Sequence, residues 1–479
     1  MSSTVVSRQK TATKQAAAKT KRFPRGSQSS RLAPDSLEAY SLPVKARAGQ
    51  PQPQADFRAV PARPGDHHSI HRLLVSVLHQ PSPAEFQAEQ EEPSYESADR
   101  LLVKRGEQII AHAHLVKREL QFGSNKLPIA IVSNLALAPE VFEQPCGTRL
   151  LRGAEEKMLE EEAVLGVLRT RTPEFFAAHG WCVCLRHSYS IAGARRILSH
   201  LREHEPRFQD PLRPSSPPLN IRIWRHVEQA ALMRLYDANR ASVYGPLLRA
   251  DNYWRWLISR RAYDRIYVAI NGPDKIELDD ACEPIVGYAV MKEGRILEMV
   301  TAADWPQAGT QLLARACRDA IEHDLHDVRL DAAPDSPLHD VLASAGGERY
   351  YHEVRNGEVF MVKLFEPLRF LTLLEASLQQ RVRDSDFCLP VDLGINLDGQ
   401  KFTLAARPRS VKLVPGKLGR SYLDCSRAQL SQLMLGHLDV PAAIRAGRLH
   451  ASTRLAGEIA AVMFPQLPIW RPPWDELPA

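Results

Sequence analysis

A strand, a short irregular loop and the start of a helix follow one another between residues 135 and 151. The first turn of a helix leaves backbone N–H groups without intrahelical partners, and such groups bind anions, phosphate above all. Gly147 and Thr148 would supply these amides, while Arg149 can either reach a phosphate or lie along the helix surface. The layout therefore predicts a site for a phosphate-bearing ligand.

The same loop also carries residues that oppose anion binding. Phe142 stands where Arg would give a bidentate phosphate partner. Glu143 places a negative charge beside an anion, and Pro145 has no backbone N–H. Two interpretations remain open at this point: the loop still binds a phosphorylated cofactor, or it keeps only the fold, because a fold does not fix a function.

Cysteine and histidine clusters elsewhere lack the spacing of a metal site. Cys182, Cys184 and His187 lie close together, but no second pair of ligands stands at zinc-like spacing. Two histidine pairs have the i, i+4 spacing of one helix face and lack the flanking residues of a metalloprotease helix. These pairs are His67 with His71 and His200 with His204. The sequence predicts no metal site.

Three folded units after a basic tail must position these residues. Residues 1–55 are rich in Lys, Arg, Ser, Thr and Ala, with almost no large apolar side chain, and are predicted to be disordered. A mixture of strands and helices follows over residues 56–205, and a Pro- and Arg-rich linker over 206–220. The same element order over 221–365 indicates an internal duplication, and 366–479 read as a smaller α+β unit. The predicted fold class is α/β with mixed sheets.

Composition narrows the class of protein. The 479 residues carry a net charge of +6, and their seven cysteines are scattered and odd in number, which argues for a reducing compartment. No apolar run approaches the length of a membrane span, so we expect a cytoplasmic protein without a membrane partner. The charge of the tail is compatible with weak contact to a polyanion, with a transit peptide, or with a solvated segment without a specific partner.

Two aromatic stretches are given structural interpretations. Trp254 and Trp256 are predicted to be core and interface residues rather than a ligand cage. The final stretch FPQLPIWRPPWDELPA is too rich in proline to be helical and is expected to lie along a surface.

With these elements in place, the first unit resembles a GNAT acetyltransferase domain, whose cofactor loop has a pattern close to Arg/Gln-x-x-Gly-x-Gly/Ala. Two such units followed by a sterol-carrier-like domain resemble the enhanced-intracellular-survival (Eis) class of acetyltransferases. The stretches that carry the resemblance are RPGDHHSIHRLL, LAPEVFEQPCGTRLL, LGVLRTRTPEFFAAHGW and WRPPWDELP. The order of units is fairly specific, whereas each short motif alone is weak.

The resemblance implies acetyl-CoA as the co-substrate. The backbone of the bent strand would pair with the pantetheine arm, and the loop and helix start would hold the pyrophosphate. The family's Arg and two glycines fall on Phe142, Glu143 and Pro145. The residues implied for cofactor binding are Leu135, Ala136, Leu137, Gln144, Gly147, Thr148 and Arg149.

The resemblance also implies direct transfer to an amine, with a tyrosine as general acid and the C-terminal carboxylate as general base. The tyrosine position falls on Trp181, whose indole cannot donate a proton near neutral pH. Tyr189 is the substitute candidate, and the base would be the terminal carboxylate of Ala479, positioned by the rigid WRPPW. The acceptor would be an amine-bearing small molecule or peptide, and the resemblance is consistent with a homo-oligomer.

Three functions follow from these observations. The leading hypothesis is an acetyl-CoA-dependent N-acetyltransferase with its site in the first unit. The first alternative is a catalytically degenerate binding protein that keeps the GNAT shell, which the altered loop and Trp181 favour. The second alternative is a lipid-binding protein that works through its last domain.

Overall fold

The structure is a computed structural model that describes five ranges of the chain. They are 57–142, 144–204, 219–241, 243–272 and 284–476. The basic tail, Glu143, nearly all of the 206–220 linker and Ala479 lie outside them. Within the described ranges, no helix is both long and apolar enough to cross a membrane.

Apolar periodicity and capping account for the first two helices. Ile70, Leu73 and Leu74 form the buried stripe of α1, and Ser82 and Glu85 form a capping box at the start of α2. In chain order the helices are α1 (His67–Leu78), α2 (Pro83–Gln90), α3 (Cys146–Glu160), α4 (Pro173–Ala177), α5 (Ala194–Glu203), α6 (Gln229–Arg240), α7 (Asp251–Ser259), α8 (Gln307–Glu322), α9 (Leu338–Ser344), α10 (Pro367–Leu373), α11 (Glu375–Arg383), α12 (Arg427–Met434), α13 (Val440–Arg445) and α14 (Arg454–Met463).

The strands form three sheets within the described residues. In chain order they are β1 (Ala59–Pro61), β2 (Arg100–Arg105), β3 (Gln108–Phe122), β4 (Asn125–Leu137), β5 (Leu165–Thr170), β6 (Cys182–Val183), β7 (His187–Gly193), β8 (Asn220–Ile223), β9 (Tyr244–Leu247), β10 (Arg265–Ile270), β11 (Ile285–Lys292), β12 (Arg295–Thr301), β13 (Asp327–Asp331), β14 (Glu348–His352), β15 (Val354–Arg355), β16 (Glu358–Leu364), β17 (Val391–Leu397), β18 (Gln400–Arg407), β19 (Ser410–Pro415), β20 (Tyr422–Cys425) and β21 (His450–Ala451).

The first two sheets share one topology, which supports the predicted duplication. The first has the order β1-β2-β3-β4-β5-β16-β15, with β6 beside β16 and β9 beside β3. The second has the order β14-β7-β13-β12-β11-β10-β8. In each, a single parallel pair interrupts an otherwise antiparallel sheet: β4 with β5 in the first, and β12 with β13 in the second. The mixed α/β fold class is confirmed.

The two halves exchange their last strands, which the sequence interpretation did not foresee. The stretch WCVCLRHSYS, predicted as one strand, is two: β6 pairs with β16 in the first sheet, and β7 pairs with β13 and β14 in the second. Leu185, between them, has a left-handed φ of 74°, which no strand continues through. In return β16, from the segment assigned to the second unit, pairs with β5.

The third sheet, with the order β19-β18-β17-β20-β21, belongs to the last unit and packs against the first sheet. Ile129 and Leu165 on the first sheet share one apolar core with Leu404 and Leu430 of the last unit. On the same two strands, Ala130 and Leu168 point to the opposite face, into the core that includes α3. The last unit is therefore α+β, as predicted, and covers one face of the first sheet. Its likeness to a sterol-carrier domain stays a prediction.

The Pro-rich C-terminal segment is anchored in the interior, so the expectation that it lies along a surface was wrong. Trp474 is fully buried and meets Trp254 edge to face at 5.8 Å. Upstream, Trp470 N–H donates to Tyr244 O (2.9 Å), and Gly245, with φ 114°, permits the approach because a Cβ there would lie 2.3 Å from the Trp470 carbonyl oxygen. Indole burial and backbone pairing thus fix the segment.

The two tryptophans predicted as structural have that role. Trp254 is fully buried in the core of the second unit. Trp256 is partly buried, and its Nε1 donates to Ala88 O in α2 of the first unit (2.8 Å). One indole therefore packs the core, and the other joins two units.

Candidate active site

A gap opens in the first sheet between β4 and β5. Their parallel register runs from Ile129 opposite Leu165 to Val132 opposite Leu168 and then ends. After Val132, β4 pairs only with β3 among the described strands. This pairing contains a bulge, at which Asn134 has φ 50°. The β4 edge that faces β5 is therefore unpaired within the described strands.

That unpaired edge contains Leu135, Ala136 and Leu137, the residues that the resemblance assigns to the pantetheine arm. Their backbone is extended, and β3 occupies only one side of it. An extended chain with amide groups could add to this edge as a strand would.

Helix α3 begins next to the gap. Pro145 precedes it without a side-chain cap, and its first turn holds no acidic side chain. Among the hydrogen bonds of the described residues, none uses the amides of Cys146, Gly147 or Thr148. A Cβ on Gly147 would lie 3.1 Å from Leu137 Cδ2, so glycine brings the helix start close to β4. The arrangement is a helix N-terminus open to an anion.

The described side chains of the loop, Phe142 and Gln144, do not cover this N-terminus. Phe142 is 60 % exposed, so its ring does not fill the gap. Gln144 donates to Glu140 O (3.1 Å) and accepts from Arg105 (3.1 Å), which makes it a support of the loop. Arg149 is exposed in the first turn of α3.

Arg105 is a residue that the sequence interpretation missed. It is the last residue of β2, and it donates a hydrogen bond to Gln144 in the loop, about forty residues later in the sequence. It also lowers the pKa of the Cys146 thiol, although burial is the larger effect and raises that pKa to about 11. Arg105 therefore adds positive charge beside the α3 N-terminus, and Cys146 stays a thiol at neutral pH and is no nucleophile.

Two residues near the gap have structural partners. Thr148 Oγ1 lies 3.2 Å from His179 Nε2, and His179 Nδ1 lies 2.8 Å from Phe175 O, which ties α4 to α3. Trp181 is buried, and its Nε1 donates to Glu155 Oε1 (2.8 Å). Trp181 is thus a packing residue, in agreement with the chemistry of an indole.

Tyr189 lies in β7, within the second sheet. Its ring stacks on Tyr350 at 4.7 Å, and the Arg329 guanidinium carbon lies 3.9 Å from the ring centre. The guanidinium carbon of Arg355 lies 5.3 Å from it. The structure therefore brings Tyr189 together with arginines of the second unit, and its role as acid stays a prediction.

The C-terminal segment approaches the gap from the face covered by the last unit. Arg169, the first β5 residue beyond the paired register, pairs with Glu476, the last described residue, at 3.6 Å between Nη1 and Oε2. Arg471 Nε also donates to Glu476 Oε1 (2.7 Å). Ala479 lies outside the described residues, but residues 477–479 can span only about 10 Å from this point.

A buried ion network holds the segment in place. Arg249 donates to Asp475 (Nη2–Oδ2 2.8 Å) and to Glu298 (Nη2–Oε2 2.6 Å), and all three side chains are almost completely buried. Tyr253 donates to Asp475 and Tyr288 to Glu298. Glu298 lies on β12 beyond its parallel pairing with β13, so the C-terminal segment covers the corresponding region of the second sheet.

A second polar network lies under the β4 bulge and was also missed by the sequence interpretation. His112 Nδ1 donates to Asn134 O (2.8 Å), which identifies Nε2, 3.3 Å from Arg100 Nη1, as an acceptor. Glu89 accepts from Asn134 Nδ2 (3.0 Å) and Arg100 Nη2 (2.7 Å). Burial lowers the pKa of His112 to about 3, so it stays neutral and fixes the bulge.

The same network reaches the surface through Tyr95 and His67. Tyr95 Oη accepts from Arg100 Nε (3.0 Å) and lies 2.7 Å from His67 Nε2. Burial raises the pKa of Tyr95 and lowers that of His67. The pair is therefore neutral at pH 7, with the Tyr95 hydroxyl donating to His67. No local motif predicts this network, because its members come from α1, α2, the α2–β2 loop, β2, β3 and β4.

The candidate metal ligands of the sequence are dispersed. Cys182 and Cys184 are buried in an apolar core, whereas His187 begins β7. Burial raises the pKa of Cys182 to about 12. Within the described part of the chain, no three His, Cys, Asp or Glu side chains converge as a metal site.

Comparison with known proteins agrees with this geometry. The family model described as acetyltransferase (GNAT) domain matches residues 58–184, which include the gap and the loop. The chain thus carries a GNAT acetyltransferase domain, and the enzyme class that this domain defines is N-acetyltransferase. No curated protein sequence matches the chain.

Solved structures resemble the whole arrangement. A GCN5-related N-acetyltransferase from Kribbella flavida has a TM-score of 0.65 at 15 % identity, over 87 % of this chain and 97 % of that one. One from Anabaena variabilis has a TM-score of 0.65 at 13 % identity, over 87 % and 99 %. Eis1 from Mycobacterium abscessus has a TM-score of 0.59 at 16 % identity, over 87 % and 99 %. At these identities the likeness establishes the fold, an Eis-like multi-domain arrangement.

Proposed function

We propose that the protein is an acetyl-CoA-dependent N-acetyltransferase that transfers the acetyl group directly to an amine. The observation that carries the proposal is the unpaired edge of β4 beside the open N-terminus of α3. The edge suits the amides of a pantetheine arm, and the helix start suits a pyrophosphate. Because the ring of Phe142 is largely exposed to solvent, this substitution does not fill the site.

The cofactor residues proposed from the sequence divide into three roles. Leu135, Ala136 and Leu137 bind through their backbone. Gly147 and Thr148 offer amides to the pyrophosphate, and Arg149 and Arg105 add positive charge. Gln144 supports the loop, since both ends of its amide already have protein partners.

The reaction balances with one base and one acid. Acetyl-CoA supplies the thioester; the acceptor nitrogen bonds to its carbonyl carbon, and the C–S bond breaks. A base takes the proton that the amine loses, and an acid gives a proton to the departing sulfur. We propose the carboxylate of Ala479 as base, because Glu476 is held at the gap by Arg169. Tyr189 is retained as the candidate acid.

Two measurements test the proposal. Isothermal titration with acetyl-CoA should show binding, and acetyl-CoA at a hundred times its Kd should stabilise the fold by about 2.7 kcal/mol. Thiol release with a panel of primary amines should then show turnover. Binding without turnover would support the degenerate binding protein, and the absence of both would direct attention to lipids and the last unit.

A further inference from the structure

A cavity of about 210 Å³ adjoins the gap on the face covered by the last unit. Arg169 and Glu476 both line it, so it opens where β5 leaves β4. Leu165 and Val167 of β5 form part of its apolar wall, and Ile469 and Trp470 of the C-terminal segment form another part. It is smaller than the roughly 300–1,000 Å³ of sites for drug-sized ligands, which favours a small acceptor.

The charges that line the cavity are predominantly positive. Five arginines and three carboxylates contribute, a net charge of +2. Each carboxylate is already shared: Asp331 pairs with both Arg295 and Arg329, with 3.1 Å between Arg295 Nη2 and Asp331 Oδ2. Glu358 likewise pairs with Arg169 at 3.1 Å (Nε–Oε2). Arg186 pairs with Glu353 next to the lining at 3.6 Å (Nη2–Oε1), so one arginine of the lining is left without a carboxylate among the described residues.

Arg355 is the cation for which no carboxylate remains. Among the described residues, its guanidinium has no ion-pair or hydrogen-bond partner, although it lies near the ring of Tyr189. Burial lowers its pKa, and so do Arg329 and Arg295, whereas Asp331 raises it. A half-buried guanidinium beside two others is stabilised by an anion.

His187 offers a second unpartnered group in the same cavity. Its Nε2 is buried and has no hydrogen-bond partner among the described residues. Its ring packs on Phe360 at 4.8 Å between ring centres. Burial lowers the pKa of His187, and the charge of Arg355 lowers it further, whereas the charge of Glu476 raises it. Two polar groups without a partner among the described residues thus line one cavity, beside its ion pairs and its apolar walls.

The side chain of Glu358 lies between Arg355 and Arg169, which is at the gap. In the β15–β16 hairpin, Arg355 is the direct cross-strand partner of Glu358, and Glu358 contacts Arg169. Cross-strand neighbours have Cβ atoms about 5 Å apart. A molecule with an amine at the gap can therefore extend an anionic end to Arg355.

We propose that this cavity is the acceptor subsite and that it selects amines bearing an anionic group, a carboxylate or a phosphate, which Arg355 binds. The identity of the site as an acceptor subsite rests on the proposed acetyltransferase function. The basic lining disfavours polycationic acceptors, because like charges repel in a site shielded from water.

The test compares three small amines of equal chain length: 5-aminopentanoate, 1-aminopentane and 1,5-diaminopentane. Titration calorimetry gives the Kd of each, and thiol release with acetyl-CoA gives kcat/KM. The parent protein should bind 5-aminopentanoate at least about tenfold more tightly than 1-aminopentane. Arg355→Gln should weaken the binding of 5-aminopentanoate by about 10–100-fold. Arg355→Lys should retain part of it. Arg454→Gln, on an exposed helix face, serves as the control.

The outcomes distinguish failure of the acetyltransferase function from failure of the acceptor preference. They also show whether the anion bound by Arg355 belongs to the substrate or to the chain's own terminus. Equal or stronger use of 1,5-diaminopentane would overturn the acceptor preference while leaving the acetyltransferase function intact. If no amine is acetylated but 5-aminopentanoate binds and Arg355→Gln abolishes that binding, the anion site stands and the proposed function fails. If deletion of residues 477–479 creates a carboxylate affinity that the full chain lacks, Arg355 holds the chain's own terminus, which would overturn the proposal.

Discussion

Arg169 and Glu476 form an ion pair at the point where β5 separates from β4, with 3.6 Å between Nη1 and Oε2. They are separated by about three hundred residues of sequence, yet the pair brings Glu476, the last described residue, to the opening of the gap between β4 and β5. Arg471 holds Glu476 from the other side. The C-terminal segment is therefore anchored at the gap as far as Glu476.

Deletion of residues 477–479 should reduce acetyl transfer by about 100-fold or more, because it removes the proposed base while the anchor remains. Acetyl-CoA affinity, measured by calorimetry, should be unchanged. Ala479→Ser keeps the carboxylate and is the matched control. Adding two glycines after Ala479 moves the carboxylate by up to about 7 Å and should also impair transfer. Full activity of the deleted chain would exclude the terminus as base.

Arg249→Met should destabilise the protein by about 3–5 kcal/mol, because Glu298 and Asp475 would remain buried without a cation. Urea unfolding at pH 7 measures the loss, and Arg249→Lys should restore part of it. Arg454→Met removes a surface pair with Glu458 and should change stability by about 0.5 kcal/mol or less. A comparably small loss for Arg249→Met would mean that Asp475 does not anchor the C-terminal segment.

Arg149→Gln and Arg105→Gln should each weaken acetyl-CoA binding about 5–20-fold, because each removes a positive charge near the pyrophosphate. Binding of acetyl-pantetheine, which has no pyrophosphate, should not change in either variant. Calorimetry with both ligands separates loss of a phosphate contact from loss of loop structure. Equal weakening for the two ligands would show that the arginines act through the fold of the loop.

Tyr189→Phe tests the candidate acid. If its hydroxyl protonates the departing sulfur, kcat should fall by about 100-fold with little change in acetyl-CoA affinity. Tyr350→Phe, at the ring stacked on Tyr189, removes a hydroxyl from the same ring pair and should leave kcat near that of the parent protein. Similar, small effects of both substitutions would assign Tyr189 to packing between the sheets.

Stability should fall as the pH falls, in part because of His112. Its pKa is about 3 in the folded protein and about 6.5 when unfolded, so between these values the unfolded chain binds a proton that the folded chain excludes. The contribution has a slope of up to about 1.4 kcal/mol per pH unit and lowers stability toward acid.

His112→Asn should therefore show a shallower loss of stability than the parent protein between pH 5.5 and 4.5, by urea unfolding at each pH. His326→Asn, at a side chain that is 87 % exposed, is the control and should follow the parent. Parallel profiles for His112→Asn and the parent would show that His112 is protonated in the folded state.

The sequence alone determined several local elements and the strand–loop–helix order of the candidate site. Apolar periodicity predicted α1 and α3, since Ile70, Leu73 and Leu74 must face a core wherever the helix packs. The strand–loop–helix order located the α3 N-terminus and its free amides, because helix geometry leaves them unpaired in any context. The order of α/β units followed in the same way.

Only the tertiary structure decided which strand joins which sheet and which side chains meet. The alternation of apolar and polar residues predicts that β7 and β16 are half-buried strands. The same alternation would suit either sheet, so it does not indicate that the two halves exchange these strands. The pairing of Arg169 with Glu476, and the lack of a partner for Arg355 among the described residues, depend on distances between chain segments that are remote in sequence. Such contacts follow from packing of whole units, which no local pattern encodes.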